Sequence, residues 1–216
     1  MSLTIRRLNV VDVESTCWAG RDAPESPVGS KRSSEIIEIG ICCIRLASNT
    51  GNQVEPEIEH VEQYYIRPIW FPKLSEFCTS LTKIKQDTVD AAPLWPDVLN
   101  QIRKDYGKSS LRDNPWVSWG DYDRIMFDHM QENVWGDPDR PEQYRDMNLW
   151  GRQHINLKTL HAVLMGRSKP MDVSGALHSI GEKFEGVPHC GKDDAFNIAK
   201  IALWIINNSR AFDWRT

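Results

Sequence analysis

The chain has 216 residues, 40% hydrophobic and 26% charged, the composition of an ordinary globular domain built on one core. Its formal net charge of −4 weighs against a protein that coats duplex nucleic acid non-specifically. A protein that grips only a short strand end needs few phosphate contacts and remains compatible with that charge.

No apolar run approaches the roughly 20 residues of a membrane span, so no membrane association is expected. Arg6 and Arg7 are followed by no charge-free apolar stretch, so no signal peptide is expected either. The five cysteines, Cys17, Cys42, Cys43, Cys78 and Cys190, include no C-x-x-C pair, which speaks against a structural zinc site. Their odd number suits free thiols in a reducing cytoplasm. Cys190 beside His189 suggests a Cys-His nucleophile, but adjacent residues rarely aim at one another.

Residues 7–14 form a β-branched run, a first strand. Residues 19–34, rich in Gly, Pro, Ser and charge, form an exposed loop. Residues 35–46 make a long second strand, and residues 60–68 a third that pairs with it as an antiparallel hairpin. Helical patterns cover 74–85 and 95–106, separated by the caps and prolines of 87–96. A short buried strand at 115–119 leads into a helix over about 122–132. Residues 134–152, with Gly136, Pro138 and Pro141, are expected to be an inserted loop. A fifth strand at 154–158 and helices at 159–165 and 173–184 follow, the last capped by Asp172 or Ser174. Residues 193–208 carry Ala195, Ile198, Ala199, Ala202, Leu203 and Ile206 at helical spacing. The order predicts an α/β domain: a mixed five-stranded sheet with helices on both faces and the first strand central.

Side chains two apart on a strand share a face, so Asp12 and Glu14 point together while Val11 and Val13 turn toward the opposite layer. Two carboxylates so close repel each other unless a cation sits between them. A solvated edge strand would also alternate charge, but the flanking valines imply burial. Asp121 and Asp123 open a helix just past a buried strand, where either serves as a cap. His189 and Asp194 straddle a loop-to-helix junction at which Asp193 suits the cap. Four carboxylates from three separated stretches, all hard oxygen donors, suit two Mg²⁺ or Mn²⁺ ions. Histidine is the side chain suited to take a proton from water at neutral pH, which makes His189 the candidate general base.

The stretches Asp12-Val13-Glu14-Ser15-Thr16, Trp119-Gly120-Asp121-Tyr122-Asp123 and His189-Cys190-Gly191-Lys192-Asp193-Asp194 resemble the three motifs of the DEDDh (DnaQ-like) 3′–5′ exonucleases. The similarity is greatest to the Eri-type RNA-trimming branch, supported by Glu35-Ile36-Ile37-Glu38-Ile39-Gly40 and by the stretch from Leu74 to Gln86. It spans residues 7–205. The resemblance implies an RNase H-like fold and release of 5′-mononucleotides from the 3′ end of RNA or single-stranded DNA. It implies catalytic residues Asp12, Glu14, Asp123, Asp194 and His189, with the four carboxylates as ligands of two divalent ions and Asp194 selected over Asp193 by spacing. It further implies that Phe77 and Tyr122 line the terminal nucleotide's pocket, and that the Val13 backbone, Ser15 and Thr16 touch its sugar and phosphate. The loops 17–34 and 134–152 are departures, and Trp18, Trp135 and Trp150 are candidates for contacts there. Two other readings stay open: a nucleic-acid-binding protein on this fold that has lost catalysis, and an RNase H-type endonuclease.

Overall fold

The computed structural model describes residues 5–47, 53–136, 148–151 and 153–209. Among these, five strands form one sheet in the order β3-β2-β1-β4-β5: β1 (Arg7–Ser15), β2 (Ile36–Ala47), β3 (Gln53–Tyr65), β4 (Trp116–Ser118) and β5 (His154–Asn156). β1 is central, antiparallel to β2 and parallel to β4, and β4 is parallel to β5. The helices are α1 (Glu76–Thr82), α2 (Gln86–Ala91), α3 (Trp95–Tyr106), α4 (Lys108–Asp113), α5 (Tyr122–His129), α6 (Leu157–Leu164), α7 (Val173–Ser179) and α8 (Gly191–Ser209).

The alternation of β1 and β2 divides the core. Val11, Val13, Ile39, Ile41 and Cys43 face one layer, closed by Trp95, Val98, Leu99 and Ile102 of α3. Those four positions recur at helical spacing, so α3 lays a single apolar stripe on the sheet. Leu8, Val10, Cys42 and Ile44 face the other layer, where α8 supplies Ala195, Ile198, Ala199, Ala202 and Ile205. The alanines let α8 lie close to the sheet. Closest of all is its first residue: a Cβ on Gly40 of β2 would meet the carbonyl oxygen of Gly191 at 2.0 Å. Only glycine permits that approach.

The first, second and fourth strands and helices α3 and α8 fall where the sequence pattern puts them. Other elements differ. β3 begins at Gln53 rather than residue 60, because Val54, Pro56 and Ile58 continue an alternation that the intervening glutamates disguise. Being an edge strand, it tolerates Pro56. The segment expected to separate two helices itself forms α2, and α4 is a further helix. The helix after β4 ends at His129 and passes into a single π turn, Met130–Val134. Of the expected 134–152 loop, residues 137–147 and 152 lie outside the described residues, as do residues 48–52. Leu149 and Trp150 are buried, and the Trp150 ring stacks on Trp116 with centroids 5.3 Å apart. Trp150 therefore packs into the core and is not available as a loop contact to substrate. Trp135 packs against the same cluster, and Trp18 sits edge-on to Phe71 at 5.3 Å.

Candidate active site

The C-terminal end of β1 is the meeting point of α1, α5 and α8. Carboxylate oxygens of Asp12, Glu14 and Asp194 all lie within 4.8 Å of one another. Asp12 and Glu14 arrive together because they are two apart on β1. Asp194 arrives from the first turn of α8, which rests on β1 and β2 through Gly191 and Gly40.

The loop before α8 is fixed by a division of labour between adjacent aspartates. Asp193 Oδ2 accepts the Val187 N–H at 2.8 Å, closing the loop. Asp194 Oδ2 accepts the His189 N–H at 2.7 Å and faces the cluster. Asn197, fully buried, ties the loop back by bonding both the N–H and the carbonyl of Glu185. His189 itself adopts the left-handed conformation with φ 62° and is exposed.

Asp123 is buried at the start of α5, and its Oδ1 accepts the Val13 N–H at 2.9 Å. The fourth carboxylate thus locks α5 onto β1 while standing beside the other three. Asp121 lies at the N-cap position of α5 but makes no capping bond; its carboxylate accepts from Asn156 Nδ2 at 2.8 Å.

The cluster is electrostatically incomplete. Asp12 is held well above the ordinary carboxylate range, first by burial and then by the charges of Asp123, Asp194, Glu14 and Glu38. Burial, followed by Glu38 and Asp194, pushes Glu14 to about 8. Burial raises Asp123 and Asp194 to about 6 each, opposed by the N–H groups of Val13 and His189. Among the described residues, no lysine or arginine pairs with Asp12, Glu14 or Asp194. All the donors are oxygens, as hard divalent cations prefer. Half-buried like charges held this close without a counter-ion suit a site completed by a cation. These residues fit Mg²⁺ or Mn²⁺.

Glu38 is the residue that the sequence pattern left without a role. It stands directly opposite Glu14 in the β1–β2 pairing and is 1% exposed. Its Oε1 accepts the Lys192 N–H at 3.1 Å and Gln63 Nε2 at 2.8 Å. Its Oε2 is buried with no partner. Like charges directly across a sheet repel, so Glu38 keeps its place through the start of α8, which it anchors beside Asp194. The available signal was a glutamate inside the apolar run Ile36-Ile37-Glu38-Ile39, on the face shared with Glu14.

The expected substrate contacts divide. Ser15 Oγ bonds the Tyr122 hydroxyl at 2.5 Å, and Cys78 of α1 donates its thiol to the Ser15 carbonyl at 3.6 Å. Ser15 therefore joins α1 and α5, and each of these helices presents one exposed aromatic ring, Phe77 and Tyr122, both 43% exposed. The Val13 N–H is already taken by Asp123. Thr16 is 2% exposed and its hydroxyl accepts the Glu35 N–H at 2.9 Å, so that side chain serves the fold.

Two other features do not compete with this site. Cys43, Glu59 and His60 converge because β3 is bulged at Glu59, but Glu59 is already neutralised by Arg7 Nε at 3.1 Å. A cavity of about 290 Å³ lined by Tyr64, Tyr65, Ala92, Pro93, Val98 and Gln101 contains none of the clustered carboxylates.

Residues 10–202 match the exonuclease family RNase_T. A mouse protein, ERI1 exoribonuclease 2, is 32% identical over 93% of this chain, which covers 28% of that protein. Human 3′-5′ exoribonuclease 1 is 29% identical over 92% of this chain, which spans 52% of its length. Among solved structures, the nuclease domain of 3′hExo, a DEDDh family member bound to rAMP, aligns with a TM-score of 0.73 and 26% identity. That alignment covers 94% of this chain and 93% of the domain.

Proposed function

Since the chain belongs to the RNase_T exonuclease family, we propose that it is a metal-dependent 3′–5′ exonuclease releasing 5′-mononucleotides from RNA or single-stranded DNA. The observation that carries this reading is the trio Asp12, Glu14 and Asp194, with oxygens within 4.8 Å and no counter-cation among the described residues.

Asp12, Glu14 and Asp194 would hold a first Mg²⁺ or Mn²⁺, and Asp12 with Asp123 would hold a second. Bound there, such ions make water a stronger acid and stabilise the charge of the leaving oxygen. His189 is the general base that takes the proton of the attacking water. The bond from its N–H to Asp194 holds its backbone at the edge of the carboxylates, and its exposure lets the proton pass to solvent. Ser15 and the rings of Phe77 and Tyr122 receive the terminal nucleotide. Stacking on such rings tolerates any base, as a trimming enzyme requires. No described helix is long and apolar enough to cross a membrane, and the five unpaired cysteines suit a reducing compartment such as the cytoplasm.

Incubation of 5′-labelled and 3′-labelled oligonucleotides with Mg²⁺ or Mn²⁺ tests the reading. The expected result is a descending ladder from the 5′ label and immediate release of a mononucleotide from the 3′ label. Discrete internal fragments would instead indicate an endonuclease, and intact but bound oligonucleotide a non-catalytic binding protein.

A further inference from the structure

We propose that Arg32 binds a phosphate of the substrate strand other than the one being cleaved, an inference that rests on the exonuclease reading. The loop from Cys17 to Ser34 leaves and returns at one point beside the site. The Thr16 N–H donates to the Glu35 carbonyl at 2.9 Å, and the Glu35 N–H donates to the Thr16 hydroxyl at 2.9 Å. The two ends of the loop are thereby held together at the C-terminal end of β1, and Arg32 lies three residues from this clasp. The loop's return limb is ordered by its own serine: Ser30 Oγ donates to the Arg32 carbonyl at 2.6 Å and accepts from the Ser26 hydroxyl at 2.9 Å.

This limb places the Arg32 guanidinium over Tyr122, 5.9 Å from the ring centroid. Among the described residues Arg32 has no carboxylate partner and no acceptor for its guanidinium N–H groups. A cation–π contact at that distance leaves all five donors unsatisfied by protein. A half-buried, unpaired guanidinium beside a strongly acidic site is suited to a phosphate, which it can bind in bidentate fashion.

The position relative to the chemistry decides which phosphate. The scissile group belongs at the carboxylate trio. Arg32 makes no ion pair with that trio and stands over the Tyr122 ring, whose hydroxyl is bonded to Ser15 at 2.5 Å. A strand whose terminal nucleotide lies on Tyr122 passes Arg32 with a neighbouring phosphodiester. Two divalent ions would do no more than balance the four carboxylates of the site, so one cation held outside it supplies the attraction for that phosphate.

The test compares Arg32→Ala, Arg32→Gln and Arg32→Lys on two substrates. One is a single-stranded oligonucleotide. The other is the p-nitrophenyl ester of thymidine 5′-monophosphate, which carries a scissile phosphate and no other. Expected for Ala and Gln is a KM for the oligonucleotide raised about tenfold with kcat within about twofold, and unchanged kinetics on the ester. The slope of log KM against log salt should fall by about 0.7, the signature of one lost phosphate contact to a single strand. Arg32→Lys should restore most of that slope. Equal losses on both substrates, or no change on either, would overturn the assignment. Wild-type protein that cleaves neither substrate would instead overturn the exonuclease reading and the role of Arg32 with it.

Discussion

Replacing Gly40 by alanine should disable the site from a residue that carries no chemistry. The new Cβ would stand 2.0 Å from the Gly191 oxygen, 2.2 Å from its carbonyl carbon and 2.6 Å from the Lys192 nitrogen. All three are backbone atoms at the start of α8, so no side chain can swing aside. Relief requires α8 to retreat by at least about 1 Å, at a cost of about 1–3 kcal/mol for overpacking. The retreat carries Asp194, in the first turn, away from Asp12 and Glu14. A displacement of that size at a catalytic group is worth about 10²-fold in rate. The assay is kcat/KM on an oligonucleotide, with Mn²⁺ affinity by calorimetry and thermal unfolding beside it. Gly40→Ala should lose roughly 10²-fold in kcat/KM and bind Mn²⁺ more weakly while remaining folded. Wild-type rate and wild-type Mn²⁺ affinity in this variant would refute the placement of α8 and the dependence of the site upon it.

Further outcomes follow from the same geometry. Glu14 is raised from 4.5 to about 8, so the folded apo-protein binds more protons than the unfolded chain across that interval. Stability without metal should therefore fall as pH rises from about 4.5 to about 8. Mn²⁺, which needs the ionised carboxylates, should stabilise the fold most at the upper end; a Tm in EDTA that is flat over this range would contradict the buried cluster. Glu38→Gln keeps an acceptor for the Lys192 N–H while removing a repelling charge, so it should raise the metal-free Tm and retain activity. Glu38→Ala should lower kcat/KM by about tenfold or more by releasing the start of α8; equal behaviour of the two variants would show that Glu38 does not anchor the helix. His189→Asn should reduce kcat by about 10² or more, the range of a general base, with Mn²⁺ affinity unchanged. A kcat within twofold of wild type would assign the proton transfer elsewhere.

The central part of this arrangement was legible because it obeys simple periods. Asp12 and Glu14 alternate with Val11 and Val13, and that alternation decides which side chains meet α3 and which meet α8. The stripe from Ala195 to Ala202 identified α8, and the family resemblance, through the spacing from His189, selected Asp194 over Asp193. What escaped depends on partners distant in sequence. Glu38 reads as a stray charge in a strand until pairing puts it opposite Glu14 and Gly191 settles over it. Thr16 looks available beside the motif, yet its hydroxyl closes the base of the 17–34 loop. Trp150 sits in a polar stretch, and only the stack with Trp116, more than thirty positions earlier, draws it into the core. The first half of β3 was hidden because an edge strand can carry alternating glutamates and a proline without losing its ladder.

Anomalous diffraction from crystals soaked in Mn²⁺ with a nucleoside 5′-monophosphate tests the central claim most directly. Strong manganese peaks should lie among the carboxylates of Asp12, Glu14 and Asp194, with the phosphate of the nucleotide against them. Peaks only elsewhere, such as at Cys43, Glu59 and His60, or no ordered manganese at the end of β1, would contradict it.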